Sequence, residues 1–152
     1  MKTRIIAAAF LVPMLFLVVL AAPKIVTAII LGVFLAIGAY ELLYRTRLVR
    51  HVRLVIWSSI MAFAVVIWSY FGAVQSYGLL LLELFVVVLF AEMMADHVKV
   101  RFDMLALCVV AGALIPYMLS SIVRILVLKI GRYVIMVPFV VAYLSDAGAY
   151  FI

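Results

Sequence analysis

Residues 77–94 read YGLLLLELFVVVLFAEMM, and this stretch decides the class of fold. Only Glu83 and Glu92 bring charge into it, and its length is close to the ~20 residues that a helix needs to cross the hydrocarbon core of a bilayer. The run is too long and too uniformly apolar for the alternating strands of an outer-membrane barrel. A helix satisfies its backbone hydrogen bonds internally, so we predict a transmembrane helix here.

Composition extends this prediction to the whole chain. Hydrophobic residues are 72% of the 152 residues and charged residues are 12%, whereas soluble domains are roughly half apolar and about a quarter charged. We therefore predict an all-α fold, a single polytopic transmembrane bundle over residues 1–152 with about six membrane-spanning helices. The first run is longer than the apolar core of a signal peptide, so we expect a retained helix. The predicted spans are residues 5–22, 25–43, 54–72, 77–94, 104–122 and 132–150.

Lysine and arginine residues are unevenly shared between the two sides of these spans. With a cytoplasmic amino terminus, eight of the 12 lie on the cytoplasmic side and four on the other side. Cytoplasmic connections carry the excess of positive charge, so we predict a multi-pass protein with its amino terminus in the cytoplasm. The connection with Arg124, Lys129 and Arg132 departs from this pattern, and it is either a loop or an amphipathic segment that reaches the head groups. We therefore attribute the net charge of +6 to residues that set the topology and contact lipid head groups. No nucleic acid is expected as a partner.

Short connections and single residues inside the spans add detail. Connections such as residues 73–76 are short, so successive helices must run antiparallel. Pro13, Pro116 and Pro138 lie inside spans, where the missing amide donor loosens the helix. Cys108 is the one cysteine, which excludes an intramolecular disulfide and a thiolate metal cage. We expect it to be a small buried hydrophobe.

Two carboxylates lie within predicted spans. Their presence requires an explanation, because a carboxylate there raises the free energy of membrane insertion by about 2.5–3.5 kcal/mol. Glu83 lies near the middle of its run, with no basic residue within two helical turns. We expect it to be protonated or to face other helices or another subunit. Glu41 lies four residues before Arg45, which predicts an ion pair on one helix face. Both are candidate intramembrane polar contacts.

A charged turn follows the fourth predicted span. Glu92 and Asp96 are four residues apart and would share one helix face. Such a face supplies too few oxygen ligands for a divalent cation, so a solvated turn is favoured over a metal site. Neither His97 in this turn nor His51 among the preceding arginines has a second histidine at metal-ligand spacing. Both are expected to contact solvent or head groups.

The segment SDAGAY, residues 145–150, is the last candidate for chemistry. If it is helical, Asp146 and Tyr150 point the same way. Gly148 and Ala149 are small enough to let another backbone or a ligand approach closely. An acidic group beside such a space, at a cytoplasmic edge, suits a metal ion that carries phosphates. A packing motif with a tolerated aspartate is the alternative.

The same segment resembles a known family of enzymes. Residues 145–151, SDAGAYF, resemble the Asp-x-Gly-Ala-Tyr stretch of the phosphatidate cytidylyltransferases, also called CDP-diacylglycerol synthases. The Lys-Thr-Arg-Ile start at residues 2–5, Pro13 in the first helix and the Tyr-Glu-Leu end of the second helix at residues 40–42 resemble that family too. The resemblance implies a bacterial inner-membrane enzyme that transfers a cytidylyl group from CTP to phosphatidate, giving CDP-diacylglycerol and pyrophosphate.

The resemblance also implies roles for this segment. Asp146 would help to hold Mg²⁺ or the nucleotide, Gly148 and Ala149 would keep the approach open, and Tyr150 would support the site. In the implied mechanism the lipid phosphate attacks the α-phosphorus of CTP, while a divalent metal neutralises the triphosphate. CTP, phosphatidate and membrane lipids are the implied partners, and whether the protein forms a homodimer stays open.

The family's pattern has further elements that these 152 residues do not contain. They are a Gly-rich stretch that ends in Gly-Lys and a later signature with Lys-Arg, Lys-Asp, His-Gly-Gly and Asp-Arg. We therefore expect this chain to be the truncated amino-terminal half of a longer cytidylyltransferase or a short natural product, with little activity by itself. A transporter or a structural membrane subunit that uses the intramembrane carboxylates is the alternative function.

Overall fold

The computed structural model describes residues 22–135, 137, 138, 140, 141 and 145, apart from the side chains of residues 73–75 and 132. Within these ranges the regular elements are helices, and there is no strand. The first three long helices are α1 (Lys24–Tyr40), which runs on as a π turn (Glu41–Arg45), α2 (Val52–Tyr70) and α3 (Ala73–Ala95). The remaining elements are α4 (Phe102–Val109), a second π turn (Val110–Leu114), α5 (Ile115–Leu119), α6 (Ser121–Val127) and α7 (Gly131–Val134).

Four helices are long and apolar enough to cross a membrane. This result confirms the predicted all-α membrane fold and the second to fifth predicted spans. The first predicted span and most of the sixth lie outside the described residues. The four helices are Lys24–Arg45, Val52–Tyr70, Ser76–Ala95 and Phe102–Val127.

The connection between α2 and α3 is shorter than predicted. The sequence placed it at residues 73–76, but α3 already begins at Ala73, so only Phe71 and Gly72 join the two helices. Gly72 has a φ of +70°, a left-handed conformation that glycine adopts without a Cβ clash. Residues 73–76 form the first turn of α3.

The fifth span is interrupted near its middle, next to Pro116. Proline has no amide N–H to donate, and its ring conflicts with the carbonyl four residues earlier, here that of Gly112. The backbone widens into the π turn Val110–Leu114 directly before the buried Pro116. The loosening predicted at this proline therefore takes the form of a local π turn.

Helix α2 lies at the centre of the described bundle. It packs against α1 on one side and against α3 and the fifth span on the others. Small residues allow this, because helices in lipid associate through close van der Waals contact. A Cβ on Gly112 would lie 2.9 Å from the backbone oxygen of Ser58 in α2 and 3.1 Å from Cζ of Phe85 in α3. Cys108, one turn before Gly112, is fully buried as predicted.

Lys24 and Arg124 fix the end of the bundle where α1 begins. The Lys24 Nζ donates hydrogen bonds to the carbonyl oxygens of Val127, at 3.0 Å, and Leu128, at 3.2 Å. A cation is favourable there because the last carbonyls of α6 carry partial negative charge. The Arg124 guanidinium lies 4.6 Å from the centre of the Tyr117 ring and donates to the Tyr117 carbonyl. The connection left open by the sequence therefore begins as helix, through Val127, and these two cations serve packing at this end.

We predict that Gly112→Leu lowers the thermal unfolding temperature of the purified protein in detergent. The new side chain would meet the backbone of α2, and overpacking of this kind costs about 1–3 kcal/mol. Gly38→Leu is the matched control, because a Cβ at Gly38 meets no atom within 4 Å. Equal losses in the two variants would show that the crossing at Gly112 is not especially tight.

Candidate functional site

The predicted site residues fall into two groups. Asp146, Gly148, Ala149 and Tyr150 lie outside the described residues, so their roles stay predictions. Glu41 and Glu83 are described, and their surroundings differ.

Glu41 belongs to an exposed ion pair at the end of α1. Its Oε1 lies 2.7 Å from Nη1 of Arg45, which confirms the pairing predicted from their spacing. Both side chains are exposed, and the neighbouring rings of Tyr40 and Tyr44 stack with their centres 5.4 Å apart. Tyrosines at this depth are typical of the boundary between hydrocarbon and head groups. Glu41 therefore lies at the membrane surface and does not line the bundle interior.

Glu83 lies on an exposed face of α3. Its neighbours on this face, Leu79, Leu80, Leu84 and Val87, are between 60% and 77% exposed. Within the described ranges Glu83 makes no hydrogen bond or ion pair, so no interhelical hydrogen bond accounts for it there. Of the options that the sequence left open, a protonated side chain or a contact with another subunit fits this position.

Charged residues form contacts between helices at the carboxyl-terminal end of α1, opposite the end that carries Lys24. This region comprises the connections 46–51 and 96–101 and the adjoining helix ends. We call it the basic end. Nη1 of Arg53 in α2 lies 3.8 Å from Oε2 of Glu92 in α3. Oδ2 of Asp96 lies 3.7 Å from Nε2 of His51 and 3.5 Å from Nζ of Lys99. The Arg53–Glu92 and His51–Asp96 pairs join the start of α2 to the end of α3, while the Asp96–Lys99 pair is local to the connection.

This arrangement corrects two predictions. His51 was expected to contact solvent or head groups, but its side chain is only 20% exposed and faces Asp96. Glu92 and Asp96 were expected in a solvated turn, but each faces a base across the helix pair. Opposite charges at the adjoining ends of consecutive antiparallel helices were the available signal. Spacing along one helix does not reveal these contacts, because each joins residues of two different helix ends.

The basic end does not form a metal site in the part of the chain that the structure describes. No group of three or more His, Cys, Asp or Glu side chains there could hold an ion. Glu92 and Asp96 already face Arg53, His51 and Lys99, so a divalent cation would have to displace those bases. The described residues thus do not fit Mg²⁺.

A groove between the described helices does not suit a nucleotide. It has a volume of about 570 Å³ and lies between α2, α3 and the segment 109–117. Its described walls consist of apolar side chains together with Gly78, Ser76 and Tyr117, and they carry no charge. A triphosphate needs cationic donors or a metal, so this groove is suited to apolar chains only.

The apolar spans, the short connections and the charged helix ends together define a multi-span α-helical membrane protein. The chain belongs to the cytidylyltransferase family, whose sequence model matches residues 2–152. This match confirms the family that the segment 145–151 indicated, the CDP-diacylglycerol synthases. It places the chain among the nucleotidyltransferases of phospholipid biosynthesis. The comparisons with curated proteins and with solved structures gave no match.

We predict that Arg53 and Glu92 are energetically coupled across α2 and α3. Arg53→Glu should lower the free energy of unfolding by about 0.5–1 kcal/mol, because it sets two carboxylates against each other at a partly exposed position. The double variant Arg53→Glu/Glu92→Arg should recover most of this loss. Thermal unfolding in detergent, arranged as a double-mutant cycle, measures the coupling. Purely additive effects of the two changes would contradict the contact.

Proposed function

We propose that the protein transfers a cytidylyl group from CTP to phosphatidate, forming CDP-diacylglycerol and pyrophosphate. The family match over residues 2–152 carries this proposal. The fold supports it, because a lipid phosphate can be presented to a water-soluble nucleotide only at the surface of a membrane. The exposed position of Glu41 gives no support to a transporter, which would place its carboxylates in the bundle interior.

Within this proposal Asp146 is the residue that would contribute to a metal or nucleotide site. Its carboxylate offers the hard oxygen ligand that Mg²⁺ prefers. When bound, the ion would neutralise charge on the triphosphate of CTP. Gly148 and Ala149 would leave room beside the carboxylate, and Tyr150 would support it. The remaining ligands would come from outside the residues that the structure describes.

We propose that the basic end faces the cytoplasm of a bacterial cell, across its inner membrane. Six lysine and arginine residues lie at this end: Arg45, Arg47, Arg50, Arg53, Lys99 and Arg101. The opposite end of the described bundle carries four such residues: Lys24, Arg124, Lys129 and Arg132. Lys24 and Arg124 bind backbone carbonyls there. The excess of positive charge favours the cytoplasmic side, where CTP is available.

We also propose that two copies of the chain associate through the exposed face of α3. Glu83 and its apolar neighbours form a stripe that no described helix covers. A carboxyl group in hydrocarbon is costly, and a partner helix would supply a hydrogen-bond partner for it. Symmetry would bring the Glu83 side chains of the two copies together, so that one protonated carboxyl donates to the other.

We predict that Asp146→Asn lowers cytidylyl transfer about 100-fold or more, since the change removes a charged ligand from the site. Incorporation of labelled CTP into lipid in isolated membranes measures this. Asp146→Glu should retain part of the activity with a shifted Mg²⁺ requirement. Asp103→Asn is the control, because Asp103 is exposed and paired with Arg101. Full activity of Asp146→Asn would remove Asp146 from the site.

We predict that Glu83→Leu shifts the protein from dimer towards monomer. The substitution removes the polar contact but keeps the face apolar, so the chain should still insert into the membrane. Mass measurement by light scattering in detergent and cross-linking in membranes report the oligomeric state. Glu41→Leu is the control, because Glu41 already has a partner in Arg45. A wild-type protein that is monomeric in both settings would exclude this dimer.

A further inference from the structure

Arg47 and Arg50 stand out in the charge pattern of the basic end. In the described chain, four carboxylates are already paired: Glu41 with Arg45, Glu92 with Arg53, Asp96 with His51 and Lys99, and Asp103 with Arg101. Arg47 and Arg50, both exposed, face no carboxylate among the described residues. Unbalanced positive charge is therefore concentrated in the connection 46–51.

The backbone of this connection is held in place. The amide of Arg47 donates to the carbonyl of Tyr44 at 3.1 Å, and the amide of Val49 donates to the carbonyl of Leu43 at 3.0 Å. The side chains of Leu43 and Val49 are buried in the main hydrophobic core. The two arginines thus project from a fixed segment at the membrane surface.

A lateral groove lies between α1 and α2. Its volume is about 310 Å³. The side chains of Ile37, Ile56 and Ile60 are each about half exposed along it, so the groove opens towards the hydrocarbon. It is lined by Ala36, Ile37, Tyr40, Ile56, Ser59 and Ile60.

The groove and the cationic connection are adjacent along both helices. Tyr40 closes α1 just before the π turn that leads into the connection. On α2, Ile56 lies one turn after Val52, the first residue beyond the connection. An apolar chain in the groove would therefore have its polar end at the level of Arg47 and Arg50.

We propose that this groove and connection bind one anionic glycerophospholipid from the leaflet at the basic end. The lipid phosphate would lie against Arg47 and Arg50, where charge-assisted hydrogen bonds are strong. One acyl chain would lie between α1 and α2, against Ile37, Ile56 and Ile60. Charge complementarity selects an anionic lipid, because no carboxylate is available to neutralise these two arginines in the described chain. No residue of the segment 146–150 is part of this site, and the site needs no nucleotide.

Native mass spectrometry of the purified protein with added phosphatidylglycerol tests the proposal. Phosphatidylglycerol is not a substrate for cytidylyl transfer, so failure here would leave the proposed function untouched. The double variant Arg47→Gln/Arg50→Gln should bind this lipid about tenfold more weakly than the wild type. Lys99→Gln/Arg101→Gln is the matched control, because it removes the same charge at the same end of the bundle and should bind like the wild type.

A second variant tests the groove itself. Ile60→Trp should fill the space between α1 and α2 and weaken lipid binding several-fold, while the protein's unfolding temperature without added lipid confirms that it is folded. If Ile60→Trp does not fold, the arginine pair and its control decide alone. If Arg47→Gln/Arg50→Gln and Lys99→Gln/Arg101→Gln weaken lipid binding equally, the effect is general charge attraction. That result would overturn the proposal. Unchanged binding in all variants, or equal affinity for phosphatidylcholine, would also overturn it.

Discussion

The hydrocarbon of a bilayer offers no partner to a backbone N–H or C=O group, and the organisation of this protein depends on that constraint. Every long apolar stretch must form its hydrogen bonds within itself, which leaves the α-helix as the local structure. Where the regular pattern fails, the chain compensates locally. The π turn before Pro116 is such a place, since it accommodates the lost donor without opening the helix to lipid.

Once the helices have formed, burial of apolar surface no longer drives them together, because lipid is as apolar as leucine. Close contact and polar pairs have to do so. Gly112 allows the fifth span to meet the backbone of α2, and Ser69 donates to Ser120 at 2.9 Å in a buried position. At the helix ends, where water and head groups are near, charged side chains make the contacts between helices. Lys24 binds the carbonyls that end α6, and Arg53 and His51 face carboxylates of the neighbouring helix.

The carboxylates of this protein differ in their partners. At the basic end all four described carboxylates face cations, two of them across neighbouring helices, which leaves them poorly suited to catalysis. We propose Asp146 and its neighbours for the chemistry of a cytidylyltransferase, while the described bundle provides a frame in the membrane. Glu83 is the exception among the described carboxylates, since its position on an exposed helix face has no explanation within one copy of the described chain. A frame of this kind can hold lipids and partner helices without taking part in the reaction.

The sequence by itself determined the class of fold, four of the membrane spans, the Glu41 and Arg45 pair, the burial of Cys108 and the family. These features depend on composition, on spacing along one helix or on a contiguous motif, so they can be followed along the chain. Only the tertiary structure decided that His51 and Asp96 face each other, that Gly112 meets Ser58 and that Glu83 lies on an uncovered face. Each of these depends on how one helix is rotated against another. In a span that is apolar all round, hydrophobicity does not mark which side faces protein and which faces lipid, and packing alone sets that rotation.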